Sequence, residues 1–102
     1  EVKIENLLAK ELSAQIAPDR EVIVSYVELP PNTTLPRHWH PGEEFYYVID
    51  GDLTVTAVSA EGNAEVETLG AGDVHFLPVG LSHSAQAGES GARIFVVAAI
   101  PR

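Results

Sequence analysis

Arg37-His38-Trp39-His40-Pro41-Gly42-Glu43-Glu44-Phe45-Tyr46-Tyr47-Val48-Ile49-Asp50-Gly51 is the stretch that decides the fold. Side chains two apart on a strand point the same way, so His38 and His40 share a face and Trp39 takes the other. Two imidazoles on one face can grip a single metal ion. Pro41-Gly42 turns the chain, and Glu44 enters the next strand beside them. A carboxylate added to two imidazoles suits a borderline first-row metal. Tyr46 has the parity of Glu44 and is expected to point inward, as interior filling or as part of a pocket. Trp39, Phe45 and Tyr47 alternate the other way and are expected in sheet-to-sheet core or a subunit interface. Glu43, one residue early, is expected to stay solvated.

A further nitrogen lies downstream, in Gly72-Asp73-Val74-His75-Phe76-Leu77-Pro78-Val79-Gly80-Leu81-Ser82-His83. Pro78 and Gly80 make a tight turn, after which His83 starts another strand that a closed barrel can lay beside the histidine pair. Three neutral imidazoles and one carboxylate only partly neutralise a divalent ion. An octahedral ion would keep open positions for water, dioxygen or a chelating substrate. His75 alternates with Asp73 and Leu77 and fits no ligand position, so it is expected either to line a pocket or to be an ordinary strand residue.

Outward from these stretches, turn signals recur at short intervals: Pro30-Pro31-Asn32, Asp50-Gly51-Asp52, Glu61-Gly62-Asn63, Gly70-Ala71-Gly72 and Gly88 to Gly91. Between them lie short runs rich in Val, Ile, Thr, Tyr and Phe, a pattern that predicts an all-β sandwich or barrel with little helix. Leu53 to Val58 and Ala64 to Leu69 read as a hairpin turning at Glu61-Gly62-Asn63. Ile4 to Ile16 fits both a helical stripe and a strand face, and an extended strand beside Glu21 to Leu29 is the expectation taken here. Glu21 to Leu29 and Arg93 to Ile100 are apolar on both faces and need cover on both. That predicts a homodimer.

The two stretches resemble the paired motifs of the cupins, G(X)5HXH(X)3-4E(X)6G and G(X)5PXG(X)2H(X)3N. The first matches at His38, His40, Glu44 and Gly51, and the second at Gly72, Pro78, Gly80 and His83. Asn32 stands where the first motif opens on glycine, and Asn tolerates the same left-handed conformation. Ala87 replaces the closing asparagine. The resemblance implies one cupin domain over residues 1–102, with motif one at about 32–51 and motif two at about 72–87. The implied fold is all-β, a double-stranded β-helix (a jelly-roll barrel). The implied site is one divalent metal ion (Fe, Mn, Ni, Zn, Cu or Co) held by His38, His40, Glu44 and His83. Glu44 is then also a candidate base, and Tyr46 and His75 are possible pocket residues. The wider pattern is similar to small bacterial one-domain cupins. Three classes of function stay open: a metal-dependent enzyme of dioxygenase, isomerase or lyase type acting on a small oxygen-rich molecule, a module that binds metal or a small ligand, and a structural barrel.

Composition narrows the partners. Acidic residues outnumber basic ones 15 to 6 in the 102-residue chain, for a formal net charge of −9. A phosphate backbone is repelled by that field, so neither nucleic acid nor an anionic membrane surface is an expected partner. No apolar run approaches the roughly 20 residues that span a bilayer, and a soluble protein, cytoplasmic or exported, is expected. With no cysteine there is no thiolate ligand and no disulfide. The sequence also lacks methionine, which fits a cleaved leader and trimmed termini equally well. Arg37 and Arg93 are scarce cations that could hold a substrate carboxylate if they faced the pocket.

Overall fold

The structure, a computed structural model, describes residues 2–11, 19–38, 43–78 and 81–101, with the backbone alone described at 11 and 36–38. Its elements are seven strands: β1 (Lys3–Glu11), β2 (Arg20–Leu29), β3 (Thr34–His38), β4 (Glu43–Val58), β5 (Ala64–Gly70), β6 (Val74–Leu77) and β7 (Ser82–Pro101). Among the described residues there is no helix, as the turn spacing and β-branched runs lead one to expect. β1 is extended and pairs with β2 from Lys3↔Glu28 to Glu11↔Glu21. The rest of the expected segment, 12–16, lies outside the described residues.

Two long strands organise the whole. β4 pairs along its length with β7; its first half also pairs with β6 and its second half with β5. β7 likewise pairs with β3 through its first half and with β2 through its second. One layer therefore reads β1-β2-β7-β4-β6 and the other β3-β7-β4-β5, with β4 and β7 running through both. The inner faces meet in one apolar core that joins Val27, Tyr46, Val48, Leu77 and Ile94 of the first layer to Leu53, Val55, Leu69 and Ala85 of the second. This is the double-stranded β-helix. Val48, Leu53 and Ile94 have no exposed surface, and burying such a side chain contributes about 1.5–3 kcal/mol.

The sequence suggested turns at Asp50-Gly51-Asp52 and Gly88 to Gly91, yet both lie inside continuous strands. The β4–β7 ladder shifts register between Val48 and Asp50 and again between Gly51 and Leu53. Here the glycines mark bulges that bend the paired strands from one layer into the next, rather than reversals. Gly51 and Gly91 both hold positive φ, 79° and 77°, and a Cβ on Gly51 would sit 2.0 Å from the Gly91 carbonyl oxygen. Asn32 adopts φ 59°, the left-handed conformation expected of it. Its N–H donates to the Gly88 carbonyl at 2.9 Å, which fixes the approach to β3. The expected 53–58/64–69 hairpin forms, pairing from Leu53↔Leu69 to Val58↔Ala64.

Candidate metal centre

Strand alternation places the site. Along β4, Glu44, Tyr46 and Val48 are buried while Phe45 and Tyr47 are exposed. Glu44 therefore faces the interior, between Ala98 of β7 and Leu77 of β6. The turn before β6 anchors that arrangement, because Gly72 N–H donates to the Val48 carbonyl at 2.8 Å and Val48 N–H donates to the Asp73 carbonyl at 3.0 Å. His83 enters from the other layer, at the start of β7, beside Ala57 of β4 and His38 of β3. Residues 39 positions apart in the chain thus converge inside the barrel.

Glu44 Oε1 lies 3.0 Å from His83 Nε2. Both residues are buried, with 6% and 3% of their surface exposed. A carboxylate withdrawn from water is tolerated only when it is paired or coordinated. The spacing suits both arrangements: it is a hydrogen-bond length if His83 is protonated, and it is also the separation of two metal ligands. Donors about 2.1 Å from one ion and at right angles to each other stand about 3.0 Å apart. A borderline first-row ion fits this nitrogen–oxygen donor pair.

Of the other expected ligands, His38 is described by its backbone alone, as the register partner of His83. His40 lies outside the described residues, as do Trp39, Pro41 and Gly42. Among the described residues, no group of three or more metal-ligating side chains comes together.

Tyr46 is only 2% exposed and lies edge-on to His83, with ring centroids 6.1 Å apart and planes at 81°. Burial, first of all, pushes its phenol well above the usual range, and the neighbouring Glu44 charge and the hydrogen bond to Glu44 add to the shift. Its hydroxyl therefore stays protonated beside the carboxylate. His75 is the register partner of Tyr46 but serves a different place. Its Nδ1 stands 3.7 Å from Glu67 Oε1, and it lines a cleft of about 380 Å³ with Glu65, Glu67 and Leu81 whose walls include neither Glu44 nor His83. The two possible pocket residues are therefore split between two hollows. Arg93 is half exposed and bonded to Asp50 on the surface, away from Glu44.

Sequence reasoning passed over Asn6 and Ser25. One row of cross-strand partners on the inner face runs Asn6, Ser25, Val96, Tyr46, His75, and the next runs Ile23, Ala98, Glu44, Leu77. Both Asn6 and Ser25 line a cleft that reaches Glu44. The available signal was a small polar residue interrupting Ile23, Val27 and Leu29 on one strand face.

Comparison with known proteins agrees with this geometry. The family described as Cupin domain matches residues 25–98. Oxalate decarboxylase of Bacillus subtilis is 36% identical over 90 residues, covering 87% of this chain and 23% of that protein. The 3-hydroxyanthranilate 3,4-dioxygenase of Bacillus thuringiensis is 41% identical over 54 residues, 53% of this chain and 30% of that protein. A solved structure of the Bacillus subtilis oxalate decarboxylase, described for its Mn(II) centres, superimposes with a TM-score of 0.74 at 30% identity, covering 94% of this chain and 27% of that one. The chain spans about a quarter of the length of these decarboxylases.

Proposed function

The chain belongs to the cupin domain family, and from that premise we propose that its barrel holds one divalent metal ion with His38, His40, Glu44 and His83 and acts on a small organic molecule. The observation that carries this reading is the buried 3.0 Å approach of Glu44 Oε1 to His83 Nε2, a carboxylate and an imidazole brought together from opposite layers. Structural needs alone do not call for such a pair, since apolar residues of similar volume fill a core at lower cost. When bound, the ion supplies Lewis acidity and open positions for a chelating substrate or dioxygen. The relatives named as decarboxylase and dioxygenase make manganese or another redox-active ion the first candidate.

The chain's own residues do the rest. Glu44 binds, and its second carboxylate oxygen can take up a proton from the substrate. Tyr46 packs edge-on against His83 and stays protonated, because burial and the Glu44 charge both oppose phenolate. The apolar walls around Glu44 keep bulk water out, which strengthens each of these contacts.

Replacing His83 with Ala tests the assignment. His83→Ala should lose most of the bound metal while keeping the β-sheet signature in circular dichroism, and His75→Ala should keep its metal. Full metal occupancy in His83→Ala, or equal loss in both variants, would overturn it. A metal-loaded protein that turns over no candidate substrate would instead support a binding module.

We also propose that the barrel is a homodimer. The outer face of the first layer carries Phe45, Tyr47, Val74 and Phe76, each at least 40% exposed, with the Phe45 and Phe76 ring centroids 5.0 Å apart and the rings tilted at 39°. Their cross-strand neighbours Phe95 and Val97 extend the patch. A second copy would cover it, as the two-sided apolar strands require.

A further inference from the structure

The way to Glu44 has a definite chemical character. Two adjoining hollows, of about 390 and 170 Å³, share Glu44, Ser25 and Val96 in their walls. Together they are of the size that holds a ligand of drug-like dimensions, about 300–1,000 Å³. Register determines the walls: on the β7 and β2 side, the inner-face residues beside Glu44 and Tyr46 are Ile23, Ser25, Val96 and Ala98, while Leu77 and His75 stand on the β6 side, where His75 faces the separate cleft beside Glu67. Among the described residues, no Lys, Arg or His side chain lines either hollow, and the one charged group is Glu44 itself. Of the two arginines whose side chains are described, Arg93 is engaged by Asp50 outside, and Arg20, the register partner of Pro101, lines neither hollow.

A compact dianion such as oxalate is poorly served by these walls. Proteins that select carboxylates present a guanidinium or ammonium to them, and here a second carboxylate would meet aliphatic surface and the Glu44 charge. The polar feature of the walls is neutral: Ser25 Oγ donates to Asn6 Oδ1 at 2.6 Å. That leaves the Asn6 amide N–H groups as donors and the Ser25 oxygen as acceptor for a ligand.

Resting on the metal reading above, we propose that this barrel takes a substrate with an apolar body. Such a molecule is a ring or branched chain bearing adjacent oxygens that reach the metal, and a neutral polar group on its body is met by Asn6 and Ser25. Compact dicarboxylates bind less tightly than such a molecule.

The test compares ligands that share one chelating head. Untagged protein is loaded with Mn(II), its metal content is measured, and tropolone, 4-isopropyltropolone and oxalate are titrated in by calorimetry. Burial of the added isopropyl carbons should tighten binding by at least about tenfold over tropolone, with oxalate weaker than both. In Ile23→Ser, checked for retained metal and sheet content, the isopropyl advantage should shrink several-fold. Metal bound at one per chain with oxalate preferred, or with no gain from the isopropyl group, would overturn the inference and leave the metal site standing. Failure to retain any metal in folded protein would overturn both.

Discussion

Gly51 closes the first motif at the point where β4 bends from one layer into the next, and replacing it by Ala should be far more damaging than the same change at Gly62. Both glycines have positive φ, 79° and 89°. An L side chain in that region costs about 1–2 kcal/mol. At Gly62 nothing lies within 4 Å of the added Cβ, so that conformational cost is the whole effect. At Gly51 the Cβ would stand 2.0 Å from the Gly91 carbonyl oxygen and 2.9 Å from the Ala92 Cα. Both are backbone atoms, so no rotamer change can relieve the contact and the β4–β7 ladder must spread. Overpacking of that kind adds about 1–3 kcal/mol. The totals are then about 1–2 kcal/mol for Gly62→Ala and about 2–5 kcal/mol for Gly51→Ala. At about 4–8 °C per kcal/mol for a domain of this size, the two melting temperatures should differ visibly. Urea unfolding followed by circular dichroism, with metal-free protein for both variants, measures the gap. Equal losses would refute the claim that the paired glycines set the crossing of the strands.

Two further outcomes follow from surface features. The Arg93 guanidinium, through its hydrogen bonds, holds the Asp50 carboxyl below its ordinary range. A depressed carboxyl stabilises the fold above its unfolded pKa, and that contribution fades as pH falls through the folded value. Arg93→Gln should therefore lower the melting temperature slightly at neutral pH, and the difference from the parent should close below about pH 4. A gap that persists or widens in acid would contradict this. On the outer face, Phe76→Lys should shift the protein from dimer to monomer in light scattering at micromolar concentration, and an unchanged mass would place the interface elsewhere.

Much of this architecture was legible because period-2 patterning is a strong local signal. The parity of Glu44, Tyr46 and Val48 against Phe45 and Tyr47 was enough to sort inner from outer positions on β4, and Asn32 was recognisable as a left-handed position. The glycine clusters at 50–52 and 88–91 were misread as reversals, because a bulge and a turn draw on the same residues and only the partner strand tells them apart. His75 has the parity of an inward residue, yet its place beside Glu67 depends on where β5 and β6 part company along β4. Asn6 and Ser25 gain their position from a three-strand register that no single segment records. As for the site, spacing pointed to Glu44 and His83, and their meeting depends on β4 and β7 running through both layers.

The most direct test of the central claim is the metal content of untagged protein from cells grown with mixed trace metals, measured by mass spectrometry. The account predicts close to one equivalent of a divalent first-row metal per chain. A folded protein that holds no metal, even after reconstitution with manganese, iron, nickel, copper, cobalt or zinc, would contradict it.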